Sequence, residues 1–144
     1  MIRAVLDANI IASGIVGFRK SESVPGAILR LWQKGKFSLL ISKHIRDEVK
    51  NLLQKPYFKQ HLTPQAISRI QTLLQFQAEQ IVITEEVRNI TTSAEDDLSL
   101  ATAVSAKANY FVTGDGPLLR KVGNSYQKVK LVSPNNFIKI LQDL

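Results

Sequence analysis

The sequence alternates between short apolar runs and longer stretches in which apolar residues repeat with helical spacing. A short run bounded by polar residues predicts a buried β-strand, and helical spacing predicts an amphipathic helix. The predicted strands are Ile2–Leu6, Phe37–Ser42, Ile81–Thr84, Tyr110–Thr113 and Val129–Val132. The predicted helices are Val24–Lys34, Lys43–Lys55, Pro64–Gln80, Glu95–Ala108 and Asn135–Leu144.

Strands that alternate with helices indicate the α/β class, with a mostly parallel sheet and helices on both faces. The exception is the segment from about 43 to 80, whose two predicted helices meet around Pro56 with no strand between them. We expect this segment to form a helical hairpin beside the sheet, with a cleft between the two. With 144 residues, 44% of them hydrophobic, the chain fits a single domain over residues 1–144.

The composition removes several classes of chemistry. The chain has no cysteine, which excludes disulfide scaffolds, thiol nucleophiles and cysteine-based metal centres. Its two histidines, His44 and His61, lack the spacing of a zinc hydrolase and are more typical of surface positions. The apolar run from Ile10 to Phe18 is too short to span a bilayer, so we expect a cytoplasmic protein with no membrane partner. Acid–base or metal chemistry therefore falls to the carboxylates.

Positive charge is concentrated in the first part of the chain. The net charge is +7, and residues 1–61 contain eleven Lys and Arg against four acids, whereas the remainder has eight of each sign. Such an excess is typical of proteins that bind a phosphate backbone, although basic surfaces also serve solubility. The charge therefore favours a nucleic-acid partner.

Two aspartates follow predicted strands. Asp7 comes directly after the first strand, and Asp115 comes two residues after the strand that ends at Thr113. In an open parallel sheet, ligands bind beyond the carboxyl ends of the strands, so these two acids are expected to converge on one site. For either aspartate alone, a turn or a helix cap is the alternative. Asn9 either shares the side of Asp7 or caps the next helix.

Asp47 and Glu48 are adjacent, and helical geometry separates their directions. Residues such as Ile45 and Val49 form an apolar stripe on the predicted helix. Glu48 lies at the edge of this stripe, whereas Asp47 points to the opposite face. Glu48 is therefore the candidate site residue, and the alternative is a glutamate that turns outward or pairs with a lysine.

A third acidic group, Glu95-Asp96-Asp97, begins the fourth predicted helix. Acids favour this position because of the helix dipole, which is the ordinary explanation for all three. The helix is apolar almost all round, so we expect it to be packed inside the protein. On the helical wheel Asp97 points into the packed side, where a carboxylate needs a partner. The predicted partner is a divalent cation shared with Asp7 and Asp115.

An acidic pocket within a basic protein suits phosphodiester chemistry. Ligands that are all carboxylate oxygens fit Mg²⁺ or Mn²⁺. The metal would neutralise the acids and orient a water molecule, while lysines and arginines outside the pocket hold the polyanion.

The motifs that carry this chemistry are Asp7-Ala8-Asn9-Ile10-Ile11-Ala12-Ser13, Glu48, Glu95-Asp96-Asp97 before Leu100-Ala101, Val112-Thr113-Gly114-Asp115 with Leu118-Leu119, and Val132-Ser133-Pro134 before Phe137. Together they resemble the PIN domain family, in particular its toxin branch in bacterial and archaeal toxin–antitoxin systems, the VapC-like ribonucleases. The resemblance covers essentially the whole chain. Ala8 departs from the threonine that is common at its position, and Ser93-Ala94-Glu95 replaces a more acidic approach, so Asp96 and Asp97 stay alternatives as the principal ligand.

The resemblance implies a Rossmann-like, three-layer α/β/α sandwich in which the hairpin flanks an active-site groove. It implies an endoribonuclease that hydrolyses RNA phosphodiesters with a water molecule activated by Mg²⁺ or Mn²⁺, a cognate antitoxin protein, and a homodimer or higher homo-oligomer. The implied catalytic and metal-binding acids are Asp7, Glu48, Asp97 and Asp115. The implied supporting residues are Asn9, Ser13, Asp96 and Thr113. The residues expected to bind nucleic acid are Arg19, Lys20, Lys43, Arg46 and Lys50.

Two other classes of function fit parts of the pattern. A small-molecule phosphohydrolase would use Asp7 as a phosphorylated nucleophile, but Asn9 replaces the second acid of the usual pair. A non-catalytic RNA-binding module would need an aromatic platform, and the aromatic residues of this chain are scattered. We therefore expect the metal-dependent endoribonuclease rather than either of these alternatives.

Overall fold

The computed structural model describes residues Met1 to Leu144 and contains a six-stranded sheet with eight helices. The strands are β1 (Arg3–Leu6), β2 (Ser38–Ser42), β3 (Glu79–Ile81), β4 (Tyr110–Val112), β5 (Ser125–Tyr126) and β6 (Val129–Val132). The helices are α1 (Ala8–Val16), α2 (Val24–Gln33), α3 (Lys43–Leu53), α4 (Pro56–His61), α5 (Pro64–Phe76), α6 (Ala94–Ala106), α7 (Gly116–Val122) and α8 (Pro134–Gln142).

The strand order is β3-β2-β1-β4-β6-β5, and every neighbouring pair is parallel except β5 with β6. In the central strand, Val5 lies opposite Leu40 of β2 and Phe111 of β4. The chain builds from β1 to β3 on one side and then crosses to β4 on the other. The carboxyl ends of β1 and β4 therefore flank the topological switch point, where open α/β sheets leave a crevice for ligands.

Helices cover both faces of this sheet. Helix α6 contacts β1 to β4 on one face, while α1 packs against α2 and α2 packs against α8 on the other. One connected core contains 33 buried apolar residues, and Ala4, Val5 and Leu6 of β1 have no exposed surface. Burial of every residue is expected of a parallel strand covered on both faces. The predicted three-layer α/β/α sandwich is confirmed, and a single domain over residues 1–144 stays a prediction.

The predicted hairpin contains three helices rather than two. The short helix α4 lies between α3 and α5, and α5 packs against α3. Helix α5 ends at Phe76 instead of Gln80, and beyond its end the side-chain amide of Gln80 donates to the carbonyls of Leu74 and Ala78 at 2.9 and 3.0 Å. The strand then begins at Glu79, earlier than the apolar run had predicted.

Besides α4, two further helices lie where no helix was predicted. Helix α1 follows Asp7 immediately and is apolar on most sides, so it has no amphipathic stripe to read. Helix α7 is short and begins next to Asp115, with a proline in its first turn. No helix of the structure has both the length and the apolar surface needed to cross a bilayer.

Helices α1 and α2 approach each other closely at two glycines. A Cβ atom on Gly26 would lie 2.1 Å from the carbonyl oxygen of Gly17, which is backbone and cannot move aside. We expect Gly26→Ala to lower the free energy of unfolding by about 1–3 kcal/mol in urea titrations. Gly114→Ala is the matched control, since nothing lies within 4 Å of its Cβ position. Equal stability of the two variants would contradict this close packing.

Candidate active site

Asp7 lies at the carboxyl end of the central strand. Its backbone N–H donates to the carbonyl of Val112 at 2.9 Å, which continues the β1–β4 pairing, and the next residue begins α1. Its side chain is buried, with 7% of the residue exposed, and accepts a 2.9 Å hydrogen bond from the hydroxyl of Thr113. Thr113, which follows β4, has no exposed surface. The sheet register thus fixes the direction of this carboxylate.

Thr113 also orients Asp115. Its hydroxyl oxygen accepts a hydrogen bond from the backbone N–H of Asp115 at 3.1 Å while its proton goes to Asp7. The carboxylate of Asp115 caps α7 by accepting from the N–H of Leu118 at 3.1 Å. One buried hydroxyl therefore couples the acids that follow β1 and β4.

Glu48 approaches these acids from α3. Its Oε1 lies 3.0 Å from His44 Nε2 and 3.4 Å from the hydroxyl of Ser99 in α6. Asp47, one residue earlier, is exposed and pairs with Lys43 at 2.8 Å. The structure thus places Glu48 inward and Asp47 outward, in the directions that the apolar stripe predicted.

Asp96 and Asp97 have different surroundings. Asp97 is buried, and its carboxylate accepts hydrogen bonds from the backbone N–H groups of Asn89, Ile90 and Thr91 and from the hydroxyl of Thr91. Both of its oxygens are used in holding the loop of residues 83–92. The expectation that Asp97 would need a cation is thus not met by its surroundings, because backbone donors supply the partner.

Asp96 is half-buried and faces the other acids. It accepts one hydrogen bond, from the hydroxyl of Thr92 at 3.2 Å, which leaves its second oxygen without a protein donor. Its charge acts on both Asp7 and Glu48. The structure therefore brings Asp96, and not Asp97, to the edge where Asp7, Glu48 and Asp115 lie.

The pKa shifts distinguish Asp7 and Glu48 from Asp97. Burial raises the pKa of Asp7, the Thr113 hydrogen bond opposes the rise, and the charges of Asp96 and Asp115 add to it. Burial also raises the pKa of Glu48, against the opposing effect of His44. At Asp97 burial acts in the same direction, but the hydrogen bonds from the loop outweigh it and lower the pKa.

The four acids act on one another electrostatically without forming a closed site. No three His, Asp or Glu side chains lie close enough together to hold an ion as they stand. Two hollows, of about 650 and 500 Å³, lie under the loop of residues 83–92 and between α5 and the α1–α2 pair. The cleft predicted beside the hairpin therefore lies mainly against α1 and α2, away from the acids.

The sequence matches the model of the PIN domain family over residues 3–116. The chain belongs to the PIN domain family. Asp7, Glu48, Asp96 and Asp115 all fall inside the matched segment of this PIN domain. The match confirms the family that the motifs resembled.

A solved structure with a similar fold is a chain of VapBC2 from Rickettsia felis bound to a DNA fragment from their promoter. The two chains are 15% identical with a TM-score of 0.58, and the alignment covers 92% of this PIN domain and 98% of that chain. At this identity the likeness concerns the fold alone. No protein of curated function matches the sequence significantly.

Two of the predicted supporting residues, Asn9 and Ser13, lie on the exposed side of α1. Asn9 and Ser13 are one helical turn apart and both exposed. Helix α1 begins directly after Asp7, so the extended chain that would have placed Asn9 beside Asp7 ends there. Asp7 itself occupies the cap position that was the alternative for Asn9.

The predicted nucleic-acid-binding residues are spread over two elements. Arg19 and Lys20 are exposed beyond the far end of α1, which is nine residues long and so spans about 13 Å. Lys43 and Lys50 are exposed on α3, the helix that carries Glu48. Arg46 is half-buried, and its buried Nε has no acceptor. Of these five residues, only those on α3 share a helix with one of the acids of the PIN domain.

The sequence analysis assigned no site role to His44, Ser99 or Thr91. His44 and Glu48 are four residues apart, which is the one signal in the sequence for their contact. Ser99 and Thr91 are ordinary small polar residues whose contacts depend on the tertiary fold.

The contrast between Asp96 and Asp97 gives a direct test. Asp97→Asn places an amide donor against the backbone N–H groups of the loop, so we expect it to lower the free energy of unfolding by about 2 kcal/mol. Asp96→Asn should change that free energy by less than about 0.5 kcal/mol. Urea titration of both variants checks this. A stable Asp97→Asn protein would contradict the structural role of Asp97.

The same pair predicts a pH dependence. Because the folded-state pKa of Asp97 is lowered, its contribution to stability is present above the unfolded value of about 3.9 and is lost as the pH falls through the folded value. Asp97→Asn should therefore lose less stability than wild type between pH 5 and pH 3. Urea titration across that range measures the difference. An unchanged pH profile would argue against the charged contacts with the loop.

The raised pKa of Asp7 has the opposite effect on the pH dependence of stability. The folded state binds a proton more readily than the unfolded chain, so metal-free wild type loses stability as the pH rises from the unfolded pKa to the raised folded pKa. Asp7→Asn removes this loss and should unfold a few degrees higher at neutral pH in chelator, measured by circular dichroism. A lower unfolding temperature would show that the charge of Asp7 stabilises the metal-free fold.

Proposed function

We propose that this PIN domain is a metal-dependent endoribonuclease and the toxin of a toxin–antitoxin system. The observation that carries the proposal is the arrangement of Asp7, Glu48, Asp96 and Asp115 at the switch point of the sheet. These acids come from four separate places in a sequence that belongs to the PIN domain family. Their number at one edge needs a physical reason, because like charges repel.

The donor set fits a divalent cation of the Mg²⁺ or Mn²⁺ type. All the candidate ligands are carboxylate oxygens, and Glu48, Asp96 and Asp115 each keep one oxygen that accepts no hydrogen bond from the protein. Asp97 keeps none, so Asp96 replaces it in the proposed ligand set. We propose Asp7, Glu48, Asp96 and Asp115 as the residues that hold the metal.

When bound, the cation would neutralise these acids, activate a water molecule and stabilise the charge that develops on the attacked phosphodiester. Contacts within this chain position the carboxylates for that role. Thr113 joins the carboxylate of Asp7 to the backbone of Asp115, and the sheet register keeps the two strands aligned. Asp7, Asp96 and Asp115 each lie at the start of a helix, whose dipole favours negative charge.

The proposed substrate is RNA, held by its phosphates. The exposed Lys43 and Lys50 lie on the outward side of α3, with Asp47 and away from Glu48, and would attract the phosphate backbone to this part of the surface. Arg19 and Lys20 lie at the far end of α1 and would contact a longer strand. Binding by such contacts should weaken steeply as salt is added.

The proposed partner is a cognate antitoxin protein. The similarly folded chain belongs to VapBC2, bound there to a DNA fragment from their promoter. The fold similarity and the PIN family membership support the same kind of assembly here, together with homo-oligomerisation. A cytoplasmic location remains part of this proposal.

Cleavage of RNA by the purified protein tests the proposal. We expect wild type to cleave in Mn²⁺ or Mg²⁺ and to stop in chelator, and Asp7→Asn to cleave at least about 100-fold more slowly, since metal-site charge stabilisation is worth several kcal/mol. Asp47→Asn is the matched control, because Asp47 is exposed and pairs only with Lys43. Undiminished cleavage by Asp7→Asn would refute the site, and RNA binding without turnover would favour a binding module.

A further inference from the structure

We infer that His44 is a positioning residue of the proposed metal site, in which its Nε2–H group holds Glu48 against the first turn of α6. The inference rests on the proposed function, because it gives His44 its role through Glu48. It concerns a histidine that the sequence pattern assigned to the surface.

Four polar groups from two helices form a closed ring. His44 Nε2 lies 3.0 Å from Glu48 Oε1 and 3.0 Å from the carbonyl oxygen of Glu95. The hydroxyl of Ser99 lies 3.4 Å from the same Glu48 oxygen and 3.3 Å from the same Glu95 carbonyl. His44 and Glu48 belong to α3, whereas Glu95 and Ser99 belong to α6.

The chemistry of this ring assigns the proton of His44. A carbonyl oxygen has no proton to give, so the contact with Glu95 requires Nε2 to be the donor. Ser99 has a single hydroxyl proton and cannot donate to both oxygens at once. Nε2 likewise carries a single proton; its hydrogen bond is to the Glu95 carbonyl, and Glu48 Oε1, 3.0 Å from the same nitrogen, shares that N–H group as a second acceptor.

The ring sets the position of Glu48 relative to Asp96, and both are proposed metal ligands. Glu95 directly precedes Asp96, so a contact that joins Glu48 to the Glu95 carbonyl also sets Glu48 relative to Asp96. The side chains of His44 and Glu48 are 18% and 31% exposed, and Ser99 is fully buried, so little water competes with these contacts. An ordinary pair on one helix surface would not tie two helices together.

One oxygen of Glu48 stays available for the metal. Both His44 and Ser99 contact Oε1, and no protein group donates to Oε2. A hydrogen bond to one oxygen of a ligating carboxylate orients the other, and loss of such an outer contact typically weakens metal binding 10-fold to 100-fold. His44 would thus act on metal affinity without touching the metal.

The test compares two nearly isosteric variants of the full-length protein, His44→Gln and His44→Met. The glutamine amide keeps a donor close to the position of Nε2, the methionine lacks one, and both residues favour helices equally. Mn²⁺ affinity is measured by titration calorimetry, alongside Mn²⁺-dependent RNA cleavage and thermal unfolding in chelator. His61→Met is the control, because the hydrogen bond of His61 is to Tyr57 of its own helix and none of its contacts is with the proposed metal ligands.

We expect His44→Met to bind Mn²⁺ about 10-fold more weakly than wild type, His44→Gln to recover most of the affinity, and His61→Met to match wild type. Wild-type affinity in His44→Met would overturn the inference while the proposed function stands. Equal losses in His44→Met and His44→Gln would overturn the hydrogen-bonding role, since the donor would not matter. A wild type that neither binds Mn²⁺ nor cleaves RNA would overturn the proposed function and this inference with it.

Discussion

The burial of carboxylates at one edge of the sheet, together with their mutual repulsion, is the constraint on which the site depends. Asp7 is buried, and its pKa is raised by that burial and by neighbouring acids. The charged form of Asp7 is therefore destabilised in the metal-free protein. The hydroxyl of Thr113, shared between Asp7 and Asp115, keeps the two acids in place despite the repulsion. Helix amino termini at Asp7, Asp96 and Asp115 offset part of it. The remaining imbalance is what a bound cation would remove.

The position of these acids could be predicted from the sequence wherever local geometry decides it. A carboxylate directly after a buried strand must lie at the carboxyl end of the sheet, which holds for Asp7, and an apolar stripe on one helix separates Glu48 from Asp47. The order of strands and helices likewise predicted the α/β/α layers. Helix α1 was missed because burial on nearly all sides leaves no periodic pattern.

Asp97 shows where local geometry stops being enough. The helical wheel correctly points it into the packed side, but the partner it finds there is the backbone of the loop of residues 83–92, eight to six residues earlier in the chain. Loop backbone conformation leaves no mark in residue type, so a buried acid with backbone donors looks the same in sequence as a buried acid at a metal. His44 was overlooked for a similar reason, since the carbonyl of Glu95 comes from a helix distant in sequence.

The most direct test of the proposed centre is a crystal structure of wild type soaked in Mn²⁺, with the anomalous signal of manganese used to place the ion. We expect a peak bounded by Asp7, Asp96 and Asp115, with Oε2 of Glu48 facing it, and with Asp97 still bonded to its loop. A well-diffracting soaked crystal with no manganese among these acids, or with the ion at Asp97, would contradict the account.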